Sequence, residues 1–282
     1  MNAPRTRPFM QVDVFTEEGY FGNPVGVVLD AEGLSEAEMQ RITSWANLSE
    51  TTFVLPPTVD QADYRVRIFS PMGELPFAGH PTLGTAHAWL ASSRAGRGDG
   101  RTSLIQECSA GLVELRRSDG RLAFAAPALV RSGAVDEATV GELRSMLNVE
   151  RAVVMAAEWV DNGPGWAALL LPDAGAVLAV KPGRVDRCVG VVGLYPAGSE
   201  VACEVRAFFP KDGTTVEDPV TGSLNASLGQ WLIGSGRLGE SYVAAQGTAL
   251  GRRGRVYVER AADGRLWVGG GTVTCIAGEI RA

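Results

Sequence analysis

A histidine and an aspartate stand at matching places in a segment that this chain contains twice, and these two side chains are the first candidates for chemistry. Arg67-Ile-Phe-Ser-Pro71, followed by Gly79-His80-Pro81-Thr-Leu-Gly84-Thr85, returns as Arg206-Ala-Phe-Phe-Pro210, followed by Glu217-Asp218-Pro219-Val-Thr-Gly222-Ser223. The offset is 139 residues at the first proline and 138 at the glycine, so the register slips by one residue inside the loop. An imidazole and a carboxylate at equivalent loop positions form a proton-handling pair if the two copies approach one ligand about a pseudo-twofold axis. Taken singly, Asp218 is a helix cap and His80 a hydrogen-bonding loop residue. Their matching positions favour a shared site. Gly84-Thr85 and Gly222-Ser223 follow at the expected first helical turns. There, backbone N–H groups, hydroxyls and the positive end of a helix dipole suit a carboxylate, and glycine lets a ligand approach the backbone. The same Ser and Thr also suit ordinary helix capping, and both roles can hold at once.

The elements that must position these residues follow from the periodicity. Each copy reads as a β-rich segment, a Gly/Pro loop and an apolar run suited to a helix, over 83–90 and 224–233. Those runs carry Leu83, Ala86, Ala88, Trp89 and Leu90, then Leu224, Ala226, Leu228, Trp231 and Leu232. A helix without a wide polar face must be enclosed by sheet on nearly all sides. Most of the remaining chain reads as short β-branched strands separated by glycine, among them 10–15, 63–69, 152–155 and 203–209. Further helices are expected over 35–43 and over 135–147 with Asp136 as cap, and the Gly/Arg-rich stretch 94–101 reads as a surface loop. The strand pattern breaks between 125 and 132. The expected fold class is therefore α+β: two pseudo-symmetric β-barrel-like domains, each wrapped around a central helix. The first spans 1–126 and is joined by the closing strands of 266–282; the second spans 127–265.

Composition narrows the function classes. With 282 residues, 45% hydrophobic and 21% charged, the chain has the make-up of a globular protein with room for two domains. The net charge is -6, and the one basic cluster, Arg252-Arg253-Gly-Arg255, reads as a solvated turn, so no nucleic-acid partner is expected. No apolar stretch has secretory-signal or membrane-span character, which makes cytoplasmic residence the expectation and a membrane partner unexpected. Cys108, Cys188, Cys203 and Cys275 are widely separated and none lies at a repeated loop; with His80 and His87 as the only histidines, no metal site is expected. Gly269-Gly-Gly271 lacks the strand-to-helix setting of a nucleotide fingerprint, and no cofactor is implied.

Taken together, these segments resemble the PhzF-like family, named for a phenazine-biosynthesis isomerase and built on the diaminopimelate epimerase fold. The resemblance rests on Val12-Asp-Val-Phe-Thr, Gly22-Asn23-Pro24, Ser49-Glu50-Thr51, Gly79-His-Pro-Thr-Leu-Gly84, Glu217-Asp-Pro-Val-Thr-Gly-Ser223, Gln246-Gly247 and Gly269-Gly-Gly-Thr-Val. Residue type alone makes Glu50 a surface or capping carboxylate and Asn23 a turn residue. The resemblance implies that Glu50 is the general acid/base, that His80 and Asp218 orient the substrate and assist proton movement, and that Asn23, Gly79, Gly84, Thr85, Gly222 and Ser223 contribute to binding. Related amino-acid epimerases carry a cysteine in each loop, whereas this chain carries none there. The resemblance thus implies a cofactor-independent isomerase acting on a small carboxylated substrate such as trans-2,3-dihydro-3-hydroxyanthranilate, and assembling as a homodimer. The alternatives are an epimerase or isomerase of another small amino or hydroxy acid, and a catalytically idle small-molecule-binding or interaction protein.

Overall fold

The computed structural model describes residues 5–92 and 101–282. Most of the expected loop at 94–101 lies outside the described residues. The chain divides into two compact units, Met1–Ala125 together with Gly269–Ala282, and Ala126–Val268.

The first unit contains β1 (Thr6–Val14), β2 (Asn23–Val28), α1 (Glu36–Ala46), β3 (Thr51–Leu55), β4 (Tyr64–Ser70), β5 (Gly73–Leu75), α2 (Gly79–Ala91), β6 (Ser103–Cys108), β7 (Gly111–Ser118) and β8 (Arg121–Ala125). The second contains β9 (Arg131–Ala134), α3 (Glu137–Leu147), β10 (Ala156–Asp161), β11 (Ala167–Leu170), α4 (Ala174–Ala179), β12 (Val189–Leu194), β13 (Cys203–Lys211), β14 (Thr214–Asp218), α5 (Gly222–Gly234), β15 (Ser241–Gln246) and β16 (Gly254–Arg260). Strand β17 (Leu266–Gly270) carries the chain back, and β18 (Thr272–Arg281) pairs antiparallel with β1.

The two units repeat one pairing scheme. In the first, β1–β2 is antiparallel, β2–β3 parallel, β3–β4 and β4–β5 antiparallel, β4–β6 parallel and β6–β7 antiparallel. In the second, β10–β11, β11–β12, β12–β13, β13–β14, β13–β15 and β15–β16 follow the same sequence of senses. Parallel neighbours need a crossover, and the crossovers are equivalent too: α1 and α4 after the first parallel strand, α2 and α5 after the hairpin.

The central helices are buried as their composition requires. Gly79 to Ala86, Ala88 and Trp89 of α2 are all buried, and α2 packs against β1, β2, β3, β6, β8 and β18 of its own unit. In α5, ten of the thirteen residues are buried, against β10 and β16 among other elements. The outer faces carry separate cores. Met39 of α1 packs with Val28, Phe53 and Phe69, while Leu143 and Leu147 of α3 and Val177 of α4 cover Leu169, Val191 and Phe208. Helix α1 begins with a complete capping box between Ser35 and Glu38, and α3 begins with Asp136 accepting from the Thr139 N–H.

Three sequence expectations are corrected. Residues 151–153 form a 3-10 turn instead of opening a strand, because β-branched propensity without a ladder partner does not hold a strand; pairing starts at Ala156. Helix α2 starts at Gly79, a turn earlier than its apolar run, since Pro81 in the first turn has no N–H that the helix needs. His80 is therefore the second residue of α2 instead of preceding it, and Gly84 and Thr85 lie in its second turn. Gly84 serves packing there: a Cβ on it would stand 2.3 Å from Val25 Cγ1.

Candidate active site

Three elements of the first unit bring Asn23, Glu50 and His80 together. Asn23 opens β2 and is fully buried. The turn before it is held by the buried Asp13, whose Oδ2 accepts from the Gly22 N–H at 2.9 Å. Glu50 immediately precedes β3, and its carbonyl accepts from the Gly26 N–H across the parallel β2–β3 pair. His80 arrives on the first turn of α2, with its Nε2 3.1 Å from Glu50 Oε2 and its Nδ1 3.4 Å from the Asn23 amide nitrogen. The side chains are 8% exposed for His80 and 16% for Glu50, so both sit in a site that water barely reaches.

The protonation of this pair follows from its partners. A charged His80 would make the contact an ion pair, but desolvation of the buried ring pushes its pKa down to about 3, and the neutral form prevails. Nδ1 of the ring lies 3.4 Å from the Asn23 amide, and Nε2 lies 3.1 Å from Glu50 Oε2. The Glu50 carboxyl group thus sits beside a neutral imidazole where little solvent reaches it. That is the arrangement of a base that takes a proton and is stabilised in place while doing so.

The same burial predicts a pH dependence of stability. Unfolded His80 titrates near its ordinary 6.5, folded His80 near about 3, so the unfolded chain binds a proton that the folded chain refuses between those values. This contribution is complete above pH 6.5 and is lost as pH falls toward 3. Urea unfolding between pH 7 and 4 should show His80→Asn losing stability less steeply than the parent, by up to about 1.4 kcal/mol per pH unit. Identical slopes would contradict the neutral assignment. His87 is also held low, by burial and by Arg117 nearby, and contributes equally to both proteins.

In the second unit, Asp218 ends β14 and does not cap α5 through a backbone N–H; its Oδ2 accepts from the Thr221 hydroxyl at 2.6 Å. Gly222 and Ser223 are the first two residues of α5. Ser223 Oγ accepts from the Trp166 indole N–H at 3.0 Å, and its carbonyl from Asn162 at 3.0 Å, so the serine hydroxyl keeps its own proton for another acceptor. Neither α2, capped by Ala78, nor α5, capped by Thr221, has a side-chain cap on its first turn. Thr85 is different: its hydroxyl donates to Pro81 O at 2.7 Å and lies 2.8 Å from the Thr52 hydroxyl, fully buried inside the helix packing.

Thr221, Gln246, Asn225 and Trp166 surround these residues and were not chosen for chemistry from the sequence, although Gln246 belongs to a quoted motif. A signal existed: Gln106 and Gln246 recur 140 residues apart, and Thr82 and Thr221 recur 139 apart. Among the described residues, no three His, Cys, Asp or Glu side chains group as a metal site, and no helix is long and apolar enough to cross a membrane.

Comparison with known proteins places these residues in context. The family model described as phenazine biosynthesis-like protein (PhzC-PhzF) matches residues 12–278. A Schizosaccharomyces pombe protein named antisense-enhancing sequence 1 is 36% identical, covering 96% of this chain and 97% of its own. The trans-2,3-dihydro-3-hydroxyanthranilate isomerase of Pseudomonas aeruginosa is 34% identical over 91% of each chain. A crystal structure of a PhzF-family phenazine biosynthesis protein from Enterococcus faecalis superposes with a TM-score of 0.80, at 26% identity, over 98% of this chain and 99% of that one.

Proposed function

The chain belongs to the phenazine biosynthesis-like (PhzC-PhzF) family of isomerases, and from that premise we propose that it shifts a proton on a small carboxylated substrate without a cofactor, with Glu50 as the general acid/base. The observation that carries this reading is the 3.1 Å approach of the buried neutral His80 to the Glu50 carboxylate.

The chemistry balances without a redox partner. Glu50 removes a proton from one substrate carbon, the electron pair moves through the adjoining double bond, and the Glu50 carboxyl, whose proton exchanges with solvent, protonates a second carbon. The His80 ring, 3.1 Å away, packs beside the Glu50 carboxyl and keeps it in place, and Asn23 lies against the other ring nitrogen. Asp218 and Ser223 are assigned to the same reaction by their place in the repeat and motif: Asp218 to an amine or hydroxyl of the substrate, the Ser223 hydroxyl as a donor. The helix starts at Gly79 and Gly222 are assigned to the substrate carboxylate, which the N-terminus of a helix favours. Homodimeric assembly and cytoplasmic residence belong to the same proposal.

Trans-2,3-dihydro-3-hydroxyanthranilate is the first substrate to offer, because a 34% identical relative bears the name of its isomerase. Proton NMR in deuterated water should show the compound isomerising with solvent deuterium appearing at a ring carbon. Isomerisation with no deuterium under any condition would argue against an exchangeable carboxyl base. Absence of reaction would remove this substrate and direct the same exchange measurement to other small carboxylated amines.

A further inference from the structure

We infer that Gln246 is a positioning residue of the active site, acting on Asp218 through the Thr221 hydroxyl; the inference rests on the assignment of Asp218 to the reaction. Gln246 closes β15 and is fully buried, in register beside Val205 of β13, whose other edge pairs with the Asp218 end of β14.

Every direction in the network follows from a backbone group. The Thr221 N–H can only donate, so the Gln246 atom 3.0 Å away is its carbonyl Oε1. The Asn225 amide donates to the Thr221 carbonyl at 2.9 Å, which fixes its nitrogen, and that nitrogen also reaches Gln246 Oε1 at 2.8 Å. Gln246 Nε2 must then be the atom facing Asp218 O at 3.1 Å and Thr221 Oγ1 at 2.8 Å. Both lone pairs and both N–H bonds of the amide are used. The Thr221 hydroxyl, accepting from Nε2, has one proton left, and Asp218 Oδ2 at 2.6 Å receives it. Asp218 is held as a hydrogen-bond acceptor by a chain whose sense Gln246 sets.

The first unit contains the same device in shortened form. Gln106 is likewise fully buried, donates from Nε2 to the Thr82 hydroxyl at 3.0 Å and accepts from the Tyr64 hydroxyl at 3.1 Å. It stops at Thr82, whereas His80 is oriented by Asn23 instead. One copy of a duplicated support thus reaches a reactive side chain, and the other braces a helix.

The test separates this role from simple packing. Thr221→Val removes the hydroxyl at constant shape and should lower kcat roughly 10- to 100-fold, as expected for a lost hydrogen bond to a charged group, with KM changed less than about 3-fold. Thr221→Ser, which keeps the hydroxyl, should recover kcat to within about 3-fold of the parent. In Gln246→Glu the incoming carboxylate cannot donate, so Thr221 turns its proton toward it, and a crystal structure should show the Asp218 carboxylate displaced from Thr221. Unchanged kcat in Thr221→Val, or an Asp218 carboxylate in its original place in Gln246→Glu, overturns the inference. If Gln246→Glu does not fold, the Thr221 pair decides. If the parent does not turn trans-2,3-dihydro-3-hydroxyanthranilate over, that substrate is removed, and the crystallographic comparison still decides this inference.

Discussion

Glu50→Gln is expected to lower turnover by roughly 10²- to 10⁴-fold, the usual contribution of a positioned acid/base. The substitution is nearly isosteric and leaves the polar contact with the His80 ring possible, so the surroundings that place residue 50 should survive. What disappears is the capacity to take a proton from carbon and carry it. Because substrate binding is assigned to other groups, KM should change little, and the loss should fall on kcat. Deuterium incorporation should fall in parallel, since the same carboxyl exchanges its proton with solvent between the two steps. A variant that keeps more than about a tenth of parental kcat would remove Glu50 from the role. In that event His80 would be a weak substitute, because burial lowers its pKa to about 3 and a ring that binds a proton so poorly is a feeble base.

The fold was more legible in the sequence than the site, and the reason is physical. The duplication appears as an offset that any reader can measure, and all-round apolar helices at 83–90 and 224–233 demand enclosure by sheet. Strands with a strong β-branched core, such as β4 and β12, were equally visible, whereas β9, with four exposed residues, was not. Helix α2 begins before its apolar run because proline is compatible with a first turn, so His80 and Pro81 belong to the helix and not to the loop. Glu50 shows the limit more sharply. Nothing in Ser49-Glu50-Thr51 distinguishes it from a surface carboxylate; it becomes 16% exposed because α2 delivers His80 onto it from thirty residues further along. Gln246 is visible only as a member of a motif, since its importance lies in four hydrogen bonds to Asp218, Thr221 and Asn225, more than twenty residues earlier. Local pattern reports local structure, and these side chains acquire their roles from long-range pairing.

Glu217→Gln should cost roughly 3–5 kcal/mol of stability, whereas the equivalent Glu74→Gln should cost about 1 kcal/mol or less, although both break the same Arg–Glu pair of the duplicated segment. Arg206 Nε and Nη2 meet the two Glu217 oxygens at 2.9 and 2.8 Å, and Nη1 donates to the carbonyls of Val177 and Val180 at the end of α4. Arg67 grips Glu74 with the same fork, at 2.8 and 2.5 Å, and adds Glu36. The difference is burial: the Arg206 and Glu217 side chains are 6% and 12% exposed, against 25% and 26% for Arg67 and Glu74. Removing the charge of Glu217 leaves a guanidinium that water cannot reach, while Arg67 remains in contact with solvent and Glu36. Urea unfolding midpoints of the two variants should therefore separate clearly. Replacing both partners, Arg206→Met with Glu217→Leu, should recover much of the loss, because the penalty comes from the stranded charge more than from the missing attraction. Equal and small costs for Glu217→Gln and Glu74→Gln would show that burial does not set the weight of this pair. The consequence extends along the strand: Glu217 precedes Asp218 on β14, so the residue that secures the hairpin also fixes where the Asp218 side chain begins.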